Sequence, residues 1–252
     1  LKLDITTAHD DEWIPESRQY YFGPNTNGSA PSLLLPTNTI ASISMFRDFS
    51  PWWLLAPDLY DDDVNEGIAQ ADTTLSTFFS GKDFGLDILG SLEPAAQLVV
   101  TDNQFVDAAP QPEIIFPAFA IVGTLLNSET MQAELHRIFI SFVGFLNVVG
   151  AMQGNPQLDI ELVDSKKDRM ITTSFIPPLA GQPISVQYNF SPTIVFKGDR
   201  LILSSTRLLA EQLRDDNHSA KPANRSGSKA NWTTNSQLTL LAAPLATILQ
   251  KN

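Results

Sequence analysis

Cysteine is absent from all 252 residues. Its absence excludes disulfides, thiolate metal sites and a cysteine nucleophile, so stability has to come from ordinary burial. Histidine is almost absent, with His9, His136 and His218 the only three. His136 alone falls on a regular element, at the boundary of an apolar helix face, where a hydrogen-bonded structural histidine is expected rather than a base. Basic residues are scarce: 16 Lys and Arg face 28 Asp and Glu, for a formal charge of −12. The shortage sits in the first half, where residues 1–113 hold 18 acidic and 4 basic side chains. Such a surface repels phosphate backbones, so no nucleic-acid partner is expected. No Gly-x-Ser-x-Gly elbow, P-loop or Gly-x-Gly-x-x-Gly turn occurs, which leaves no catalytic residue to nominate.

Long hydrophobic runs are missing as well. Ile138–Met152 is the most membrane-like segment, and its 15 uncharged residues, interrupted by Ser141, Gly144 and Asn147, fall short of a transmembrane span. It is expected to be a core helix. The chain lacks an initiator methionine, so it is read as processed or as a piece of a longer protein.

What is present is the composition of a globular core, 43% hydrophobic and 17% charged. Residues 1–31 are polar and broken by Pro15, Gly23, Pro24, Gly28 and Pro31. They are expected to form an extended arm, with one strand near Leu1–Thr6. Residues 32–252 then read as a single α+β domain. Thr39–Phe46 alternates as a half-buried strand with Ile43 and Met45 on one face. Ser50 and Pro51 open a short helix through Trp52 and Trp53, and Asp61 to Asp63 cap a second helix over Val64–Phe79, ended by Gly81. Strands follow at Gln97–Thr101 and Glu113–Leu126, the latter read as buried. The spacing next predicts a long helix from Ser128 to Val149, with Met131, Leu135, Ile138, Phe139, Phe142, Leu146 and Val149 as its stripe. Phe142 lies mid-stripe and is expected against the sheet. Further strands are expected at Gln157–Val163, Met170–Ile176, Ile184–Phe190, Thr193–Phe196 and Arg200–Ser204, with Lys197-Gly198-Asp199 as a hairpin turn. A helix at Thr206–Arg214, a mobile polar loop at 215–235, a strand at Gln237–Leu241 and a helix at Ala243–Gln250 close the chain. This order predicts an antiparallel or mixed sheet with helices against one face, and it allows a diverged internal duplication.

Leu34-Leu35-Pro36 ahead of a strand, Lys82-Asp83-Phe84-Gly85-Leu86-Asp87-Ile88-Leu89-Gly90-Ser91-Leu92 and the strand Gln97–Thr101 resemble a family of exported bacterial proteins abundant in planctomycetes. Lys197-Gly198-Asp199-Arg200-Leu201-Ile202-Leu203-Ser204-Ser205 before a helix is similar too. The likeness covers residues 33–252. The family is known only as a domain of unknown function, so the resemblance implies an exported or periplasmic, non-catalytic domain and supplies no site residues.

Metal sites are weak on their own chemistry. His9-Asp10-Asp11-Glu12 lies on the arm with no second cluster. Asp61-Asp62-Asp63 fails as a calcium loop, because the sixth position holds Glu66 instead of glycine; helix capping explains it. No metal or cofactor is therefore expected. The Asn-x-Ser/Thr triplets at Asn27, Asn189, Asn217, Asn224 and Asn231 are read as chance. The remaining signal is apolar surface. Trp52 and Trp53 point about 100° apart on a helix, and Ile140 and Val148 lie off the long helix's main stripe. These four form the candidate interaction surface, for a protein partner or an apolar ligand. A non-catalytic binding or scaffolding domain is the leading expectation. A carrier holding an apolar molecule between sheet and helix is the alternative, and a hydrolase on a carboxylate pair the third.

Overall fold

The computed structural model describes residues 14–23, 28–105, 110–164, 168–178, 183–215 and 234–241. The expected strand at Leu1–Thr6, the His9–Glu12 cluster, almost all of the loop at 215–235 and the helix at Ala243–Gln250 lie outside the described residues.

The protein has an α+β fold around one eight-stranded sheet in the order β4-β5-β6-β7-β3-β2-β1-β8. The strands are β1 (Thr39–Phe46), β2 (Ala95–Thr101), β3 (Ala118–Thr124), β4 (Leu158–Asp164), β5 (Asp168–Phe175), β6 (Thr193–Lys197), β7 (Arg200–Ser204) and β8 (Ser236–Leu240). Every neighbouring pair is antiparallel. The β6–β7 hairpin turns at Gly198 with φ +57°, a left-handed conformation that glycine enters without steric cost. Glu113–Leu126 shortens to β3 because the strand begins only after Pro117, which has no N–H for the ladder. Ile184–Phe190 is not a strand but a single 3-10 turn at Val186–Asn189, capped by the Ser185 hydroxyl accepting from the Gln187 N–H.

Alternation along the strands sorts side chains onto two faces, and each face has its own core. On the first, Val99, Ala120, Val122, Met170, Val195 and Ile202 meet Leu209, Ala210 and Leu213 of helix α6 (Arg207–Asp215). Residues 28–36 strap the same face across β1 and β2. The Ser44 hydroxyl donates to Pro31 O at 2.5 Å and the Gln97 side chain to Ser32 O at 2.6 Å, while Leu34 enters the core. The described end of the expected arm is thus docked: Ala30 is buried and its N–H donates to Thr234 O at 2.8 Å. A short helix α1 (Gln19–Phe22) is tied down beside it, with the Arg47 guanidinium 3.4 Å from the centroid of the Tyr21 ring.

The second face carries α5 (Ser128–Met152), with Phe139 and Val143 packed among Ile171, Ile194, Phe196 and Leu201. Helices on one face were expected; α5 follows that expectation, and α6 covers the opposite face. Between β1 and β2 the chain forms α2 (Phe49–Leu54), α3 (Ala56–Leu59) and α4 (Asp62–Phe78), and Phe79 just beyond α4 packs against the core on the α5 face. The Asp61 carboxylate caps α4 by accepting from Val64 N at 3.1 Å, as its position predicts. Ser50 does not cap α2, which starts one residue earlier, at Phe49.

Met131, Leu135, Phe139 and Leu146 of the expected stripe join the core, and the rotation of α5 corrects the stripe at Phe142. Val143 is fully buried, whereas Phe142 is 40% exposed. Asn147 sets this rotation. Its side chain accepts from Leu158 N at 2.7 Å and donates to Leu158 O at 2.9 Å, which locks one flank of the helix to the edge strand β4. Val143 lies one turn before Asn147 on that flank and is carried inward, while Phe142 is carried out.

Candidate interaction surface

Register places one aliphatic residue from each strand in a single line across the second face. From β4 to β8 the line reads Leu162, Ile171, Ile194, Leu203, Ile121, Leu98, Ile43 and Leu238. Under α5 the line is dry, with Ile171 at 0% exposure. Beyond it, Ile121 is 50% and Leu238 61% exposed. A parallel line repeats the pattern, with Phe119 exposed beside Val100 and Leu240 at 70%. The strand expected to be buried on both faces is therefore covered on one. Sheet faces this apolar normally lie under another layer.

Helix α5 presents a second apolar area. Its outer side carries Ile140, Phe145, Val148 and Met152, and no charged residue follows Arg137 in the helix. Val148 is 62% exposed. Only Met131, Phe139 and Val143 of its 25 residues are buried, so the expected core helix is one-sided. Among the described residues it is the one helix long and apolar enough to cross a membrane by length and composition. One side is committed to the sheet, so it makes no clear transmembrane segment.

The structure separates the four candidate residues. Ile140 and Val148 share the exposed side of α5. Trp52 and Trp53 are half-buried in a separate aromatic package that joins α2 to α4. Trp52 Nε1 donates to Tyr60 Oη at 2.6 Å, and Trp53 Nε1 to Asp72 Oδ1 at 3.0 Å. The Trp53 ring meets Phe84 edge-on with centroids 4.9 Å apart. A Cβ added at Gly85 would fall 2.9 Å from the Trp53 ring, so glycine is required for this approach. Both indoles thus have structural roles. Phe78 of α4 touches Phe145 of α5 edge-on at 5.9 Å and connects the two regions.

A cavity of about 370 Å³ opens at the strand ends, between Phe175, Tyr188, Phe190 and the start of α6. Arg207 stands in its wall and is held by Glu211 Oε1 at 2.9 Å and Glu161 Oε2 at 2.5 Å. The hydrogen bond that Arg207 donates to Glu211, with Glu161 adding to it, raises the guanidinium above its ordinary value against the opposing effect of burial. The hydroxyls at this end are also engaged: Thr172 with Thr193 at 2.8 Å, Thr173 with Pro192 O at 2.9 Å, and Ser191 accepting from Arg207 N at 2.8 Å. Two carboxylates do meet here, but on a shared arginine that neutralises one of them. Both carboxylates line the cavity.

Asn189 had no part in the sequence reading beyond its glycosylation triplet. It is buried, donating to Ile114 O and Val186 O and accepting from Phe116 N, which leaves no acceptor for a glycan. Asn103 donates in turn to Asn189 O at 3.0 Å. His136 was expected to be satisfied by a hydrogen bond; its Nδ1 is buried with no such partner. Among the described residues no group of three or more histidine, aspartate or glutamate side chains could hold a metal. No family model, curated protein or solved structure matches this chain.

Proposed function

We propose that the protein is an exported, non-catalytic binding domain that presents the outer side of α5 to a protein partner. The observation that carries this reading is the uncharged, exposed row Ile140, Phe145, Val148 and Met152 on a rigid helix. The far side of that helix is clamped to the sheet by Asn147. A rigid element with exposed aliphatic and aromatic anchors desolvates at little cost in conformational entropy, which favours association. The acidic first half disfavours anionic partners.

A photo-reactive residue placed at Val148 in the producing cell tests the reading, with exposed Asp159 on β4 as the control position. The expected result is one discrete protein adduct at 148 and none at 159. Adducts only to lipid would transfer the surface to a membrane, and the absence of any adduct would refute the reading.

A second reading, carriage of a small apolar molecule, is favoured by the cavity lined by Phe175, Tyr188, Phe190 and Leu208. It lies at the strand ends, not between the sheet and α5 as the sequence suggested. Mass spectrometry of an organic extract of the native protein tests it; a stoichiometric compound absent from a Leu208→Arg variant is the expected sign.

A further inference from the structure

The cavity at the strand ends is read above as a site for a small apolar molecule, and its charge says more about the occupant. Among its described lining residues only Glu161, Arg207 and Glu211 are charged. Two carboxylates against one guanidinium leave one negative charge uncompensated. The guanidinium itself is spent. Its Nε donates to Glu211 at 2.9 Å and one Nη to Glu161 at 2.5 Å, so it stands between two acids and is poorly placed to take an anion.

The start of α6 gives an anion no better grip. Thr206 N–H donates to Ser204 Oγ at 3.2 Å, Arg207 N–H to Ser191 Oγ at 2.8 Å and Leu209 N–H to Thr206 Oγ1 at 3.4 Å. Side chains thus take three of the amides that a phosphate or carboxylate would use at a helix start.

The rest of the wall suits the body of a cation. Phe105, Phe175, Tyr188 and Phe190 line the cavity together with Leu208. Aromatic surface holds an ammonium group and an apolar skeleton alike. These walls are also fixed in advance. Tyr188 Oη donates to Ile176 O at 2.6 Å, its ring lies 5.6 Å from that of Phe175, and Phe190 stacks on Phe116 with centroids 6.2 Å apart. Asn189, between Tyr188 and Phe190, is held by Ile114 O, Val186 O and Phe116 N. A ligand entering here loses little to the ordering of its site.

We propose that this cavity binds a small organic monocation, an ammonium group on an apolar body, with Glu161 countering its charge. The Glu161 side chain is 57% exposed against 31% for Glu211, so Glu161 is the carboxylate with room for a second partner. The inference rests on the reading of the cavity as a ligand site and is independent of the surface on α5.

Three probes with one ring system and one carbon skeleton test it by calorimetry on the full chain. They are 1-naphthylmethylamine, 1-naphthalenemethanol and 1-naphthoate, which are positive, neutral and negative at neutral pH. The amine should bind roughly tenfold more tightly than the alcohol, and the naphthoate weakest. Glu161→Gln leaves the Arg207–Glu211 pair in place and should narrow the preference for the amine several-fold; an unchanged preference would overturn the proposal. Equal binding of amine and alcohol would also overturn it, while leaving the apolar-carrier reading intact. Tightest binding of the naphthoate would overturn it in favour of an anion on Arg207. Failure of all three to bind, or binding that survives Leu208→Arg, would remove the cavity itself as a ligand site.

Discussion

The same register line has two fates on one sheet. Ile171 and Ile194 lie beneath α5 and are shut off from water, while Ile121 and Leu238, of the same chemistry and on the same face, are half or more exposed. The strands do not cause the difference, since all eight alternate and pair in the same antiparallel way. What differs is the second layer. Strand alternation decides which side chains share a face; whether that face is dry depends on what packs over it.

The covered half should respond most strongly to mutation. Phe196 is almost wholly buried between β6 and α5, so Phe196→Ala should cost about 3–5 kcal/mol in urea unfolding through lost transfer energy and the cavity left behind. A loss near zero would mean that α5 does not seal this half. Asn189→Ala comes next. It strips partners from Ile114 O, Val186 O and Phe116 N in a buried site, for an expected cost of about 2–3 kcal/mol. Phe142→Ala belongs to the open half, and with 40% of the residue already in water its cost should fall to about 1 kcal/mol. A Phe142 loss as large as that at Phe196 would erase the contrast between the halves.

These magnitudes bear on what the sequence made legible. Ile43 and Met45 in β1, the Asp61 cap and the Gly198 hairpin were all readable, because each depends on local alternation, one hydrogen bond or one backbone dihedral. The facing of α5 was readable at Met131, Leu135, Phe139 and Leu146 but not at Phe142 and Val143. After Arg137 the helix is apolar on nearly every side, so a 3.6-residue period fits several rotations, and a polar residue, Asn147, makes the choice through a contact with β4. Ile184–Phe190 looks like a strand by composition, yet Asn189 is the hub of a turn that sequence periodicity does not reveal. Of the candidate surface, the exposure of Ile140 and Val148 follows from their breaking the stripe. The contacts of Trp52 and Trp53 were not readable, because Tyr60, Asp72 and Phe84 are tertiary neighbours. The open half of the sheet face had no signature, since Ile121 and Ile171 are indistinguishable as residues in strands.

The central claim is that α5 is buried on one side and free on the other, and one pair of identical substitutions on that helix tests it. Val143→Ala and Val148→Ala remove the same two methyl groups, one at 0% and one at 62% exposure. Equilibrium unfolding of the two variants should show a loss of about 2 kcal/mol at 143 and within about 0.5 kcal/mol of no change at 148. Equal losses at the two positions would mean that both sides of α5 are packed, and the proposed partner surface would not exist.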